Sequence, residues 1–194
     1  MCFKKAVAKP SGFSRIFAFG LMIFSGAGLI NLCTVCAEAT DELQGPPVAQ
    51  SHIIGIDPGH QGPNVDMSDL EPLGPGSTEM KASTGTQGTF SGLPEYQLNL
   101  DVSLKLQQIL ENRGYQTVLT RTDNDTAISN KERAEYVAGQ GAEVYVRIHA
   151  NGAESSSAAG ALTISPSSSN PYVSQLYDDS NSLSQCILDA YCDA

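Results

Sequence analysis

The sequence predicts an α/β domain: a mostly parallel, twisted sheet with helices on both faces. Two observations support this prediction. Strand-length runs rich in β-branched residues alternate along the chain with longer stretches whose apolar residues recur at helical spacing. Two of the strand-like runs also end on a histidine, at His60 and His149. Sheets of this class present functional groups at the carboxyl edge of their strands, so we expect a site there.

Residues 1–37 form a predicted export signal. The charged residues of this segment are all basic: Lys4, Lys5, Lys9 and Arg15. Residues 16–35 are almost wholly apolar or small, and small-x-small cleavage patterns follow them. The apolar run is nearly long enough to span a bilayer, so a retained membrane anchor is the alternative. Residues 38–50 are predicted as a polar linker and residues 51–194 as one folded domain.

Without this signal the chain is strongly acidic. The signal takes four of the 11 lysines and arginines and none of the 21 acids, which leaves a net charge near −14. No basic stripe remains to neutralise phosphates, which argues against nucleic acid as a partner. Only Cys186 and Cys192 remain, and their helical spacing points them apart, so we expect no disulfide and a domain stabilised by its core. Nothing in the sequence indicates an obligate protein partner.

The predicted elements begin with a strand over residues 53–57, where isoleucines precede an Asp-Pro-Gly turn. Residues 61–92 are rich in Gly, Pro, Ser and Thr without a sustained period. A loop of this length inside a compact domain is either a flap over a site or a plain surface excursion, and the sequence leaves both open. A helix then begins at Pro94 and Glu95, which suit a first turn, and ends near Gly114.

The second half of the chain continues the alternation of strands and helices. Ser129 and Glu132 form a capping box that starts a second helix. No strand follows the last helix, so we expect the chain to stop before the last strand or strands of its sheet. The remaining predicted elements are strands over residues 115–121, 142–149 and 160–165 and a final amphipathic helix over residues 173–191.

A zinc site is the hypothesis for the two strand-end histidines. A catalytic zinc site needs three nitrogen or oxygen ligands from the protein and an open fourth position for water. Glu95 is the best candidate for the third ligand, because a helix that follows a strand in a right-handed crossover begins near that strand's carboxyl end. Alone, His60 or His149 is also explained as a hydrogen-bonding residue, and Glu95 as a helix-start acid. Their joint occurrence favours the metal site.

Five further sequence motifs occur in order along the chain. They are IGIDPGHQG at residues 54–62, PEYQLN at 94–99, LTRTD at 119–123, RA at 133–134 and RIHANG at 147–152. In order, spacing and predicted elements this set resembles the zinc-dependent N-acetylmuramoyl-L-alanine amidases of the autolysin type, which are cell-wall hydrolases. The resemblance covers roughly residues 51–191. A short Gly-His match alone would be weak, whereas this ordered set is specific.

The resemblance implies one zinc ion bound by His60, Glu95 and His149. It also implies a secreted or cell-wall-associated amidase domain that cleaves the amide between N-acetylmuramic acid and L-alanine of the peptidoglycan stem peptide. Members of the family carry a further glutamate on a late strand as general base, and nothing after Tyr191 supplies it. We therefore expect impaired turnover, since general acid–base catalysis contributes about 10²–10⁴-fold. A catalytically inactive peptidoglycan-binding domain and another zinc hydrolase, such as a carboxypeptidase or deacetylase, are the alternatives.

Arg147 is predicted as a catalytic residue. Side chains alternate along a strand, so Arg147 and His149 face the same way. From there the guanidinium can stabilise a developing oxyanion or bind a carboxylate of the stem peptide. The alternative is a structural ion pair with Glu143 or Asp57, and the sequence does not decide between these roles.

Other residues near the motifs receive supporting roles. Asn151, together with the loop around Gly85, is predicted to line the substrate groove. His52 precedes the first strand and is not expected to be a metal ligand. Arg121 and Asp123 are expected to hold the turn that leads from a strand to a helix.

Overall fold

The computed structural model describes residues 16–22, 52–74, 76–153 and 160–193. These residues form seven strands and three α-helices, and every strand and helix predicted for the folded domain is present among them. The elements, in chain order, are β1 (Ile16–Met22), β2 (Ile53–Pro58), β3 (Leu70–Gly74), β4 (Ser77–Met80), α1 (Glu95–Asn112), β5 (Gln116–Leu119), α2 (Asn130–Gly139), β6 (Val144–His149), β7 (Gly160–Ile164), a 3₁₀ turn (Ser174–Leu176) and α3 (Tyr177–Asp193).

The main sheet has five strands in the order β5-β2-β6-β1-β7. Strand β2 pairs in parallel with both β5 and β6, and β7 pairs in parallel with β1. The pairing of β1 with β6 is antiparallel. Three of the four strand pairs are therefore parallel, which confirms the mostly parallel sheet. The fourth predicted strand, β7, is present but runs opposite to β2, a direction that the sequence pattern does not predict.

Helices cover both faces of this sheet, as predicted. Helices α1 and α3 pack on the face that presents Ile56, Val146 and Ile148, which form the larger buried cluster. Helix α2 packs on the opposite face, where Val137 lies against Tyr145. The side chains of neighbouring strand residues point to opposite faces, so Tyr145 and Val146 reach different layers. Arg147 and His149, which belong to the site described below, share the parity of Tyr145 and therefore point to the α2 face.

The long loop between β2 and α1 contains structure that the sequence analysis missed. Strands β3 and β4 pair within it as an antiparallel hairpin. Glu71 of this hairpin is buried, and its carboxylate accepts hydrogen bonds from the Ser129 hydroxyl and the Lys131 backbone N–H at the start of α2. The hairpin is therefore docked on α2. Its strands gave no period in the sequence because β3 contains a proline and a glycine and β4 is exposed throughout.

Strand β1 lies within the predicted export signal. In the sheet it occupies the position between β6 and β7, with Ala18 opposite both His149 and Leu162. The predicted linker at residues 38–50 and the predicted cleavage region lie outside the described residues. No helix among the described ranges has the length and apolar character needed to cross a membrane.

Candidate metal centre

Three side chains that the sequence analysis named as zinc ligands meet at one point. His60 follows β2, Glu95 opens α1 and His149 ends β6. Glu95 Oε1 lies 3.2 Å from His60 Nε2 and 3.1 Å from His149 Nδ1, and the two histidine nitrogens are 3.0 Å apart. One donor atom from each residue lies within 4.8 Å of the others, which makes the group a candidate metal site.

The sheet brings the two histidines together because β2 and β6 are parallel neighbours. Pro58 pairs with Ile148, so the residues that follow both strands emerge at the same edge. His60 adopts a left-handed backbone conformation with φ 65°, which is uncommon for a residue other than glycine. Gly59 is required beside it, since a Cβ atom there would lie 2.3 Å from His149 Nε2. The turn thus presents His60 while leaving room for the ring of His149.

Hydrogen bonds orient both imidazole rings. His60 Nδ1 donates to the backbone carbonyl of Ser83 over 3.1 Å, so its Nε2 lone pair faces Glu95 and His149. Arg147 Nε donates to His149 Nε2 over 2.9 Å, so the proton of the neutral ring is on Nδ1, directed at Glu95. Burial, together with the nearby charge of Arg147, lowers the pKa of His149 and favours the neutral ring. Neutral imidazole is the form that binds metals, and a metal bound at Nδ1 would displace the proton there.

The Glu95 carboxylate is buried and receives hydrogen bonds at both oxygens. Ala150 N–H donates to Oε1 over 2.9 Å, and Thr86 donates to Oε2 from its backbone N–H over 2.8 Å and from its hydroxyl over 3.0 Å. Burial alone would raise the pKa of Glu95. The hydrogen bonds from His149 and Thr86, together with the close approach of the His60 ring, outweigh burial and hold this pKa well below its usual range. The carboxylate is therefore ionised, as a metal ligand must be.

A short segment of the long loop supports the site, and the sequence analysis did not identify most of it. Ser83 binds His60, and Thr86 binds Glu95. Between them Gly85, with φ 75°, passes so close that a Cβ atom would lie 2.6 Å from Glu95 Oε2. Of this segment, the sequence predicts a role only for the part around Gly85, as one side of a groove. The sequence around a loop serine or threonine does not predict which side chains it contacts. The hydrogen bonds of Ser83 and Thr86 to His60 and Glu95 are therefore known only from the folded structure.

Asp57 forms the centre of a buried polar network beneath the ligands. Its carboxylate accepts hydrogen bonds from Thr120, from Tyr145 and from Arg133 Nη1, and Arg147 Nε lies 3.3 Å away. Burial alone would raise the pKa of Asp57, but Arg147 and Arg133 hold it well below its usual range. Burial and the same carboxylate raise the pKa of the Tyr145 hydroxyl. The charged side chains of Asp57, Arg133 and Arg147 and their hydrogen-bond partners therefore lie directly beneath the three candidate ligands.

The remaining predicted site residues have these positions. Arg147 forms the ion pair with Asp57 that was the alternative to its catalytic role, and it also contacts His149. Asn151 is exposed just beyond β6. His52 pairs with Glu143 over 3.0 Å instead of joining the three ligands.

The chemistry of the donor set fits a divalent metal of the zinc type. Two imidazole nitrogens and one carboxylate oxygen are the ligands found in catalytic zinc sites, which leave a fourth position open. The second nitrogen of His60 is engaged by a backbone carbonyl, and the second oxygen of Glu95 by Thr86. Such outer partners fix the ligands before a metal arrives.

Comparison with known proteins gives a family match and two similar relatives. Residues 54–191 match the family described as N-acetylmuramoyl-L-alanine amidase. The chain is 32% identical to the N-acetylmuramoyl-L-alanine amidase Rv3717 of Mycobacterium tuberculosis, over 62% of this chain and 52% of that protein. It is 30% identical to the N-acetylmuramoyl-L-alanine amidase LytC of Bacillus subtilis, over 78% of this chain and 24% of that protein. The match thus spans about half of the first relative and about a quarter of the second.

Two solved structures overlap part of the chain. The apo form of the N-acetylmuramyl-L-alanine amidase Ami1 from Mycobacterium abscessus is 27% identical, with a TM-score of 0.43 over 47% of this chain and 43% of that one. Ami1 from Mycobacterium smegmatis is 26% identical, with a TM-score of 0.42 over 46% of this chain and 42% of that one. The overlap with each is limited to less than half of either chain.

Proposed function

Since the chain belongs to the N-acetylmuramoyl-L-alanine amidase family, we propose that it is a zinc-dependent peptidoglycan hydrolase. The bond cleaved is the amide between N-acetylmuramic acid and L-alanine of the stem peptide. The observation that carries this proposal is the convergence of His60, Glu95 and His149, whose donor atoms lie within 4.8 Å of one another. A zinc ion held by these residues would lower the pKa of a bound water toward 7 and polarise the substrate carbonyl.

The metal assignment is tested with the three histidines of the chain. Replacement of His60 or His149 by alanine is expected to abolish stoichiometric zinc, because each substitution removes one of three protein ligands. His52→Ala is the matched control, since His52 is paired with Glu143 away from the ligands. Zinc content is measured by metal analysis after dialysis. A His60→Ala protein that retains full zinc would overturn the ligand set.

Analysis of products from purified cell wall tests the reaction. An amidase releases a free muramoyl carboxyl group and an amino-terminal L-alanine. Released D-alanine would instead indicate a carboxypeptidase, and released acetate a deacetylase. A protein that binds zinc and cosediments with peptidoglycan without releasing any product would support the alternative of a binding domain without activity.

We assign Arg147 to the stabilisation of charge on the substrate. The side chain contacts the metal ligand His149 and retains its charge partner Asp57. If Nδ1 of His149 held the metal, the proton of the neutral ring would be on Nε2, to which an arginine cannot donate. The Arg147 N–H would then be available to a substrate oxyanion or carboxylate, and charge-assisted donors of this kind are the strong ones.

Arg147→Ala is expected to lower turnover about a hundredfold, the effect of losing one oxyanion donor. Zinc content should stay unchanged, because His60, Glu95 and His149 remain. Arg113→Ala, at the far end of α1, is the control for loss of an arginine. Initial rates on cell wall and metal analysis are measured together. An Arg147→Ala protein with full activity would remove the catalytic role.

Asn151 is proposed to contact the substrate. It is exposed two residues after His149, and the adjacent Gly152 lies against Thr86, whose hydroxyl binds Glu95. Asn151 therefore follows the ligand His149 on the β6 side of the site, while the segment around Gly85 lies on the loop side. The proposed substrate groove runs between these two segments.

Export to the cell wall is proposed from the basic and apolar pattern of residues 1–37. Cleavage there would remove β1 from between β6 and β7 and expose two strand edges, which proteins rarely leave unpaired. Mass spectrometry of the exported protein tests the proposal: a first residue between 38 and 40 is expected. An exported protein that retains residues 16–22 would rule out cleavage and favour the anchor.

A further inference from the structure

Arg121 follows β5 and is buried, with 2% of its surface exposed. Its guanidinium donates five hydrogen bonds, all to neutral oxygens. Within the described part of the chain it forms no ion pair, which sets it apart from the buried Arg133, whose Nη1 binds the Asp57 carboxylate. The acceptors of Arg121 are the backbone carbonyls of Pro58, Gly59, Tyr96 and Asp123 and the side-chain oxygen of Asn124.

Two of these acceptors adjoin candidate metal ligands. Arg121 Nη2 donates to the carbonyl of Gly59 over 3.2 Å and to the carbonyl of Tyr96 over 2.7 Å. Gly59 directly precedes His60, and Tyr96 directly follows Glu95. A single nitrogen atom therefore joins the backbone beside one ligand to the backbone beside the other.

The turn that carries His60 needs such support. Its left-handed backbone conformation, φ 65°, is unfavourable for a histidine and persists only where the surroundings enforce it. Arg121 Nε holds the carbonyl of Pro58 over 2.9 Å, at the start of this turn. Asn99 of α1 donates to the Gly59 carbonyl over 3.0 Å. These contacts tie the turn after β2 to the first turns of α1.

We propose that Arg121 is a positioning residue that sets the separation between His60 and Glu95 for metal binding. The inference rests on the metal-binding function proposed above and deepens it. Arginine suits this task because its planar fork presents five donors in fixed directions, whereas lysine offers three donors at one point. The proposed positioning depends on the directions of the guanidinium N–H bonds and not on the positive charge, since the acceptors are uncharged.

The test compares Arg121→Lys, which keeps the charge and loses the fork, with Arg113→Lys at the end of α1 as the matched control. Zinc affinity is measured by competition with a chelator on the full chain, and the visible spectrum of the cobalt-substituted protein reports ligand geometry. Arg121→Lys is expected to weaken zinc binding about tenfold or more, as loss of an outer partner does, and to alter the cobalt spectrum. Arg113→Lys should match the wild type in both.

Asn124→Ala provides a second variant in case Arg121→Lys does not fold. It removes one acceptor of the Arg121 fork while leaving the arginine in place, so a smaller loss of affinity in the same direction is expected. If the wild-type protein binds no zinc, the proposed function itself fails. If the wild type binds zinc and every folded variant matches its affinity and cobalt spectrum, the positioning role of Arg121 is wrong.

Discussion

Two glycines determine how closely the backbone approaches the candidate metal centre. Gly59 leaves space for the His149 ring, and Gly85 leaves space for the Glu95 carboxylate and the His60 ring. A Cβ atom would lie 2.3 Å from His149 Nε2 at the first position and 2.6 Å from Glu95 Oε2 at the second, so neither position accepts a side chain without a shift. At the scale of single residues, the site therefore requires glycine at these two positions as well as the three candidate ligands.

Gly85→Ala is expected to weaken metal binding strongly. Its Cβ atom would lie 2.6 Å from Glu95 Oε2 and 2.6 Å from His60 Cδ2, so at least one ligand has to shift. Gly76→Ala is the control, because Gly76 has a similar φ of 76° with nothing within 4 Å. Each substitution should cost about 1 kcal/mol of stability from backbone strain. Zinc titrations should show weaker binding for Gly85→Ala than for Gly76→Ala. Equal affinities in the two variants would contradict the steric explanation.

The sequence predicts the candidate ligands but not the residues that contact them. His60 and His149 each end a strand, and Glu95 opens a helix, so local patterns placed all three at one edge of the sheet. Ser83 and Thr86 lie in a loop whose sequence has no periodicity. Their contacts with His60 and Glu95 depend on the path of that loop, which the sequence does not predict. Arg147 was open to two roles because strand alternation fixes which face a side chain uses and leaves its partners undetermined.

At the scale of elements, α2 is capped from two directions. The Ser129 hydroxyl accepts from the Glu132 backbone N–H, and Glu132 returns a contact to Ser129, as the capping box predicted. The same hydroxyl donates to Glu71 of the β3–β4 hairpin, which also accepts from the Lys131 N–H. A negative charge at a helix start is favourable, so the hairpin and the helix stabilise one another.

Ser129→Ala is expected to lower the free energy of unfolding by about 2 kcal/mol. About half of this is the lost N-cap, and the rest is the buried Glu71 carboxylate left with one partner fewer. Ser168→Ala, an exposed serine, should change stability by less than about 0.5 kcal/mol. Urea unfolding of both variants measures the difference. A Ser129→Ala protein as stable as the control would show that the hairpin and cap contribute nothing.

At the scale of the whole molecule, Asp57 connects elements from across the sheet. It lies on β2 and receives hydrogen bonds from the residue after β5, from α2 and from β6. A buried charge is tolerated only when it is paired and hydrogen-bonded, so these elements depend on one another. Because the folded-state pKa of Asp57 lies well below its usual range, its contribution to stability is present above about pH 4, near the unfolded-state pKa. That contribution is lost as the pH falls toward the folded-state pKa.

Acid unfolding of the metal-free protein tests this dependence. As the pH falls below about 4, protonation of Asp57 should lower the free energy of unfolding by as much as about 1.4 kcal/mol per pH unit. Asp57→Asn should be less stable at pH 7 and should show a shallower slope in acid, since the titrating carboxylate is gone. Asp69→Asn is the control, because the Asp69 side chain is 82% exposed. Equal slopes for the wild type and Asp57→Asn would contradict the assignment.

The sequence by itself determined the fold class, the capping box of α2 and the identities of the three candidate ligands. These follow from local patterns: strand and helix periods, cap residues, and histidines at strand ends. The tertiary structure alone decided the reversed direction of β7, the place of β1 in the sheet, and the docking of the hairpin on α2. It also decided that Ser83 and Thr86 hydrogen-bond to candidate ligands and that Arg121 binds backbone carbonyls next to two of them. These features depend on contacts between residues far apart in the chain, and such contacts leave no periodic signal.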